Sequence, residues 1–113
     1  VHLNGRVCDM EKLTDIAEKH NLIIIEDAAQ ALGAMFNGRK AGSFGLTGCF
    51  SFYPAKILGC FGDGGAITTN SSGIAEKIRL LRDHGQKTKT EIVYYGWNSR
   101  LDNLQAAILN VKL

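Results

Sequence analysis

Two short stretches hold the side chains best placed to do chemistry. The first is Glu26-Asp27-Ala28-Ala29-Gln30, directly after the apolar run Leu22-Ile23-Ile24-Ile25; the second is Ser51 to Lys56, closing the run that starts at Cys49. Open α/β sheets bind ligands outside the carboxyl ends of their strands, so polar residues that leave an apolar strand run are the first candidates. An acid in that position binds a metal, caps the next turn, or pairs with a cationic group of a ligand. For Asp27 the local sequence leaves capping at Ala28 and ligand pairing both open, because Asp is among the preferred caps. Ser51 taken alone reads as a serine that hydrogen-bonds locally. Lys56 follows Pro54 in an aromatic, apolar context, Phe50-Ser51-Phe52-Tyr53-Pro54-Ala55. Desolvation there favours the neutral, nucleophilic amine. Gly59, Gly62, Gly64 and Gly65 could cradle a phosphate, but neither GxGxxG nor GxxxxGK[ST] surrounds them and they read as turn glycines. Cys8, Cys49 and Cys60 are odd in number, form no CxxC pair and lack histidines at zinc spacing, so they read as free thiols with no metal site. Cys49, inside an apolar run, reads as a small hydrophobe.

The elements that must position these residues follow from periodicity. Asp9 is a good N-cap for a helix in which Met10, Leu13, Ile16 and Ala17 recur at helical spacing, with Asn21 closing it. Leu22 to Ile25, apolar and β-branched, predicts a strand buried on both faces of a parallel sheet. The Gly-rich composition of residues 27–47 predicts loop, with a helical turn around Ala28 to Leu32. Cys49 to Tyr53 predicts a strand that Pro54 stops, since proline cannot donate to a ladder. Phe61 to Gly65 is a turn cluster, and Ala66 to Thr69 a further short strand. Asn70, Ser71 and Ser72 offer cap oxygens to a helix with Ile74, Ala75, Ile78 and Leu81 on one stripe and Gly85 as its stop. Leu101, Leu104, Ile108 and Val111 share a face of a last helix, with Ser99 or Asp102 near its start. The order helix, strand, loop, strand, strand, helix, with buried-type strands, fits an α/β layer structure.

Composition narrows the function classes. The chain has 113 residues, 13 basic and 11 acidic side chains, and 45% apolar residues, the profile of one globular unit. Its net charge of +2 is dispersed without blocks of like charge, which argues against a nucleic-acid binder. The four-residue run Leu22 to Ile25 is far below the roughly 18 apolar residues of a membrane span. Charged residues interrupt the N-terminal stretch, so no signal-peptide core is predicted and a cytoplasmic setting is the default expectation. Thirteen glycines exceed the roughly 7% average usage, yet they are scattered among apolar runs and read as local turns.

A more specific signal comes from ordered strings: EDAAQALGA, GRKAGSFG, CFSFYPAK, GDGGAITTN, EKIRLLRDHGQ and NSRLDNLQAAIL. In order and spacing they resemble the sugar aminotransferases of the DegT/DnrJ/EryC1/StrS group, across almost the whole chain. The resemblance implies α/β architecture of the aspartate aminotransferase-like fold, fold type I of the pyridoxal-phosphate-dependent transferases. It implies pyridoxal 5'-phosphate as cofactor, with Lys56 as the lysine that forms the internal Schiff base. Asp27 resembles the acid on the pyridine nitrogen, where a carboxylate keeps that nitrogen protonated and the ring electron-accepting. Gln30 resembles the glutamine on the cofactor ring and Ser51 the serine on the phosphate. Asn98 resembles an asparagine that reaches the phosphate of the neighbouring subunit, which implies a homodimer with shared active sites. The implied reaction moves an amino group from an amino-acid donor, commonly glutamate, to a nucleotide-linked keto sugar for amino-sugar or polysaccharide biosynthesis, with Lys56 as base and acid. Related dehydratases carry histidine at the position of Lys56, so lysine favours transamination. A catalytically silent or regulatory relative with the same fold is the second reading. His84, Arg100 and Asp63 are read as structural (helix end, helix start and turn), and Cys60 and Trp97 as packing residues. The start at Val1 and the end at Leu113 both look cut, so residues 1–113 are expected to be a central fragment of the cofactor-binding large domain, without the N-terminal part and the C-terminal small domain. Such a fragment should be inactive alone and leave helix apolar positions without partners.

Overall fold

A computed structural model describes residues 1–113. A 3-10 turn at Leu3–Gly5 leads into helix α1, Met10–Lys19, whose N-cap Asp9 accepts the Lys12 N–H at 3.2 Å. The helix ends as predicted near Asn21, a left-handed residue at φ 53°, with Leu22 N–H still bonded to the Ala17 carbonyl. Strand β1 follows at Ile25–Asp27, pairs parallel with β4, Thr47–Ser51, and β4 pairs antiparallel with β5, Gly65–Thr68. The sheet order is β1-β4-β5.

The first strand departs from its prediction. Leu22, Ile23 and Ile25 are exposed and the ladder starts only at Ile25, so the apolar run precedes the strand more than it forms it. The reason is pairing: β1 is an edge strand whose one partner begins at Thr47, opposite Ile25. Glu26 and Asp27 therefore lie in the strand and not after it. The second predicted strand is shifted similarly, to Thr47–Ser51, with Phe52 continuing the pairing through its N–H to Gly64 at 2.7 Å.

Residues 27–47 contain more structure than the loop their composition predicts. Two successive turns, Ala31 N–H to Ala28 and Ala34 N–H to Ala31, replace the helical turn. They lead to a hairpin of β2, Met35–Phe36, and β3, Arg39–Lys40. Its two-residue loop is Asn37-Gly38, both at positive φ (48° and 78°), the conformation whose twist matches antiparallel strands and which Asn-Gly adopts at least cost.

Helix α2, Ser72–Leu81, has Ser71 as its cap, and α3, Asn103–Lys112, starts after Asp102. A second hairpin of β6, Gln86–Thr88, and β7, Glu91–Ile92, lies in a segment for which periodicity predicts nothing. Two small clusters form the core: Ala28, Ala31 and Ala41 with Val7, Ala34 and Phe50, and Leu58, Cys60 and Leu109 with Phe52 and Leu101. The shape is a slab, 45 × 34 × 17 Å. Leu13 and Ile16 of α1 and Leu104 and Val111 of α3 are exposed, so each of these helices carries apolar side chains that nothing in the chain covers. No helix is long and apolar enough to cross a membrane.

Candidate active site

Strand parity decides what the two acids of β1 can do. Successive side chains alternate between sheet faces, and residues opposite each other on paired strands share a face. Glu26 is opposite Gly48 and Asp27 opposite Cys49. Glu26, Gly48 and Phe50 therefore share one face; Asp27, Cys49 and Ser51 share the other.

The Glu26 face is closed by the segment 41–45. Glu26 is buried, with Oε1 accepting the N–H groups of Phe44 (2.6 Å) and Gly45 (2.7 Å) and Oε2 accepting those of Gly42 (2.7 Å) and the His2 ring Nε2 (2.9 Å). Burial pushes this carboxyl toward protonation, but the bonds from Gly45, His2, Gly42 and Phe44 outweigh it and hold the carboxyl below its usual range. His2 Nδ1 accepts the Cys8 N–H at 3.2 Å, so the ring proton sits on Nε2 and is donated to Glu26.

The Asp27 face is open. The Asp27 carboxylate is exposed; Oδ1 accepts the Ala29 N–H at 3.1 Å, the local turn bond of an aspartate, and Oδ2 makes no hydrogen bond. Both readings of Asp27 are thus compatible, since one oxygen caps the turn and the other stays available. Burial, and then the nearby Asp27 charge, push the Cys49 thiol up and keep it a neutral packing group.

Beside this face lies a cleft of about 380 Å³ lined by Asn4, Gly5, Ala29, Gln30, Leu32, Ser51, Ala55, Lys56, Ile57 and Leu58. It brings together Gln30, Ser51 and Lys56, with Asp27 adjoining through Ala29. Each is placed by local structure. Ser51 ends β4, and its Oγ accepts the Tyr53 N–H at 3.2 Å, which leaves its own proton to donate. The Pro54 turn is closed by the Lys56 N–H on the Tyr53 carbonyl at 2.9 Å. Lys56 is half-buried, and no carboxylate lies within ion-pair distance of its amine. Gln30 is held from the N-terminal segment, its Oε1 accepting the Asn4 N–H at 3.0 Å.

Asn98 is not in the cleft. It is exposed and bridged to Asp83 at the end of α2, and its Oδ1 accepts the Arg100 Nε at 3.2 Å. Arg100 also reaches Asp83 at 3.4 Å; the Gln86 amide, and next the Arg100 guanidinium, hold the Asp83 carboxyl below its usual range. His84 takes the helix-end role predicted for it, left-handed at φ 60° with its N–H on the Trp97 carbonyl. Cys60 packs, as expected, between Leu58 and Leu109, but Trp97, read as a packing residue as well, is exposed because no element of the chain lies over it.

Asn4 and Gly5 line the cleft without any chemical signal in the sequence, and the bonded Glu26–His2 pair lies outside its lining. The one signal for the first pair is the Asn4-Gly5 dipeptide, both members left-handed, which marks a turn but not what it faces. A larger hollow of about 670 Å³, between α1 and the β1 edge, is lined by Leu22, Ile23, Ile24 and Leu46 with no lysine, histidine or cysteine. The sequence-predicted Gln30, Ser51 and Lys56 line the smaller cleft instead.

All of residues 1–113 match the DegT/DnrJ/EryC1/StrS aminotransferase family. The dTDP-3-amino-3,6-dideoxy-alpha-D-galactopyranose transaminase of Aneurinibacillus thermoaerophilus is 57% identical over 113 residues, covering 100% of this chain and 31% of that protein. A pleiotropic regulatory protein of Geobacillus stearothermophilus is 53% identical over 112 residues, 99% of this chain and 30% of that protein. The crystal structure of Streptomyces venezuelae DesV in complex with a ketimine intermediate superposes with a TM-score of 0.93 at 49% identity, over 98% of this chain and 30% of that one. The chain spans about 30% of the length of these relatives. With the family match unbroken along its length and the fold shared at this level, the chain belongs to the DegT/DnrJ/EryC1/StrS aminotransferase family.

Proposed function

We propose that this chain is the central part of the large domain of a sugar aminotransferase that uses pyridoxal 5'-phosphate and moves an amino group from an amino acid, glutamate in the first instance, to a nucleotide-linked keto sugar. The observation that carries the reading is the single cleft holding Gln30, Ser51 and Lys56 beside the open face of Asp27. The family is pyridoxal-phosphate-dependent, and the donor set here fits that group: an amine without a carboxylate partner, a hydroxyl with a proton to donate, and a carboxylate oxygen without a bond. When bound, the cofactor supplies a carbonyl that carries the amino group and a ring that draws electrons from the substrate carbon. Lys56 would hold the cofactor through its amine and, when free, would carry the proton to and from the substrate carbon. Asp27 would pair with the ring nitrogen, Gln30 would contact the ring, and Ser51 would donate to the phosphate. Asn98, outside the cleft, serves the phosphate site of the neighbouring subunit in a homodimer. The exposed aromatic stretch Tyr94, Tyr95 and Trp97 just before it supports a contact there. A cytoplasmic setting belongs to the same proposal.

The test uses the whole protein with added pyridoxal phosphate. A visible absorption band of lysine-bound cofactor is expected, with release of an oxo-acid from glutamate in the presence of a nucleotide keto sugar. Lys56→Ala should abolish both; retention of both in that variant refutes the assignment. The 53% identity to a protein named as a regulator favours a second reading, a silent relative. That reading wins if the whole protein neither retains cofactor nor transfers the amino group.

A further inference from the structure

The buried Glu26 has no part in the chemistry proposed above, yet it gathers four donors from two distant segments. Residue 2 contributes the ring proton of His2, and Gly42, Phe44 and Gly45 contribute backbone N–H groups. A buried carboxylate costs several kcal/mol of desolvation even when well bonded, whereas an apolar residue fills space without that cost. Packing alone does not call for an acid here; four converging donors do.

One of those donors, His2, belongs to the N-terminal segment whose Asn4 and Gly5 line the cleft. The His2 residue bound to Glu26 through its ring also donates its main-chain N–H to the Asp27 carbonyl at 2.9 Å. Two residues on, Asn4 donates its N–H to Gln30 Oε1 at 3.0 Å. Cys8 fixes the ring tautomer from the other side, through its N–H on His2 Nδ1. The N-terminal segment thus touches both Asp27 and Gln30, and Glu26 ties that segment to the sheet.

We propose that Glu26, acting through His2, is a positioning residue for Asp27 and Gln30: it lies on the opposite sheet face and anchors the segment that sets where these two side chains stand. This rests on the reading of Asp27 as the partner of the cofactor ring nitrogen. A group that only stabilised the fold would not move the electronic state of the bound ring.

The experiment compares the whole wild-type protein with Glu26→Gln, His2→Ala and Asp27→Asn. In each, cofactor affinity is titrated by visible absorption, the pH midpoint of the bound-cofactor band is recorded, and the Ala29 amide exchange rate is measured without cofactor. Glu26→Gln replaces an acceptor oxygen with an amide that faces donors, and should raise the cofactor Kd on the order of tenfold. It should displace the midpoint in the same direction as Asp27→Asn and speed Ala29 exchange. His2→Ala keeps the main-chain N–H and should do the same to a smaller extent; it decides the matter alone if Glu26→Gln does not fold. Unchanged Kd, midpoint and Ala29 exchange beside a lowered Tm would make Glu26 a purely structural residue and overturn the proposal. Absence of cofactor binding in the wild type instead removes the proposed function, and this inference with it, a result the control reads separately.

Discussion

Gly48→Ala tests whether the sheet and the 41–45 segment meet as closely as the Glu26 bonds require. A Cβ at position 48 falls against the Cα of Gly42 and lies 2.8 Å from both the Gly42 carbonyl oxygen and Thr68 Oγ1. Two of these neighbours are backbone, which cannot rotate away. Forcing a methyl into such a contact costs about 1–3 kcal/mol. Displacing Gly42 also loses its N–H on the Glu26 carboxylate, a charged hydrogen bond worth roughly 1.5–3 kcal/mol. The sum, about 2.5–6 kcal/mol, is a large share of the 5–15 kcal/mol typical of a folded protein. Gly73→Ala is the control: nothing lies within 4 Å of a Cβ there, and the residue sits in α2 at negative φ, so the change should be neutral or stabilising by about 0.5 kcal/mol. Urea unfolding of the whole protein gives the stability difference, and amide exchange at Gly42 reports whether its bond to Glu26 survives. A Gly48→Ala variant within about 1 kcal/mol of wild type, with Gly42 still protected, would falsify the close approach.

Three further outcomes follow from other parts of the structure. The Glu26 carboxyl is held below its ordinary value of 4.5, so the stability it contributes is present above that pH and is lost as pH falls through the lower folded value; acid unfolding should begin below pH 4.5 and lose this component in Glu26→Gln. Ser71→Ala removes the side-chain acceptor of the Ile74 N–H, a long bond at 3.4 Å, and should cost about 0.5–1 kcal/mol by thermal unfolding. Ser51→Ala, read by absorption titration, should weaken pyridoxal phosphate about tenfold or more with little change in Tm, because the Ser51 hydroxyl bonds only its own turn within the chain.

Local signals carried the elements whose stability is local. The helices were legible because Asp9 and Ser71 are caps and Met10 and Ala17, or Ile74, Ile78 and Leu81, repeat at helical spacing. Asn37-Gly38 carried an equally local hairpin signal, which glycine-rich composition obscured. The β6–β7 hairpin was hidden because its strands are two and three residues long, too short for a period.

By itself the sequence determined which residues were available for chemistry: adjacent acids at 26 and 27, a serine five positions before a lysine, and a motif order that identified the family. The tertiary structure alone decided which acid is buried and which stays open. Glu26 and Asp27 are neighbours of like charge, and only the pairing of β1 with β4 sends one to a closed face and the other to an open one. The donors that make Glu26 a tolerable buried charge come from positions 16 to 24 residues away, a distance across which no periodicity or spacing reports. Long-range pairing is set by the sum of contacts over the whole sheet, and so the parity of a single strand, on which the site depends, becomes definite only once the chain is folded.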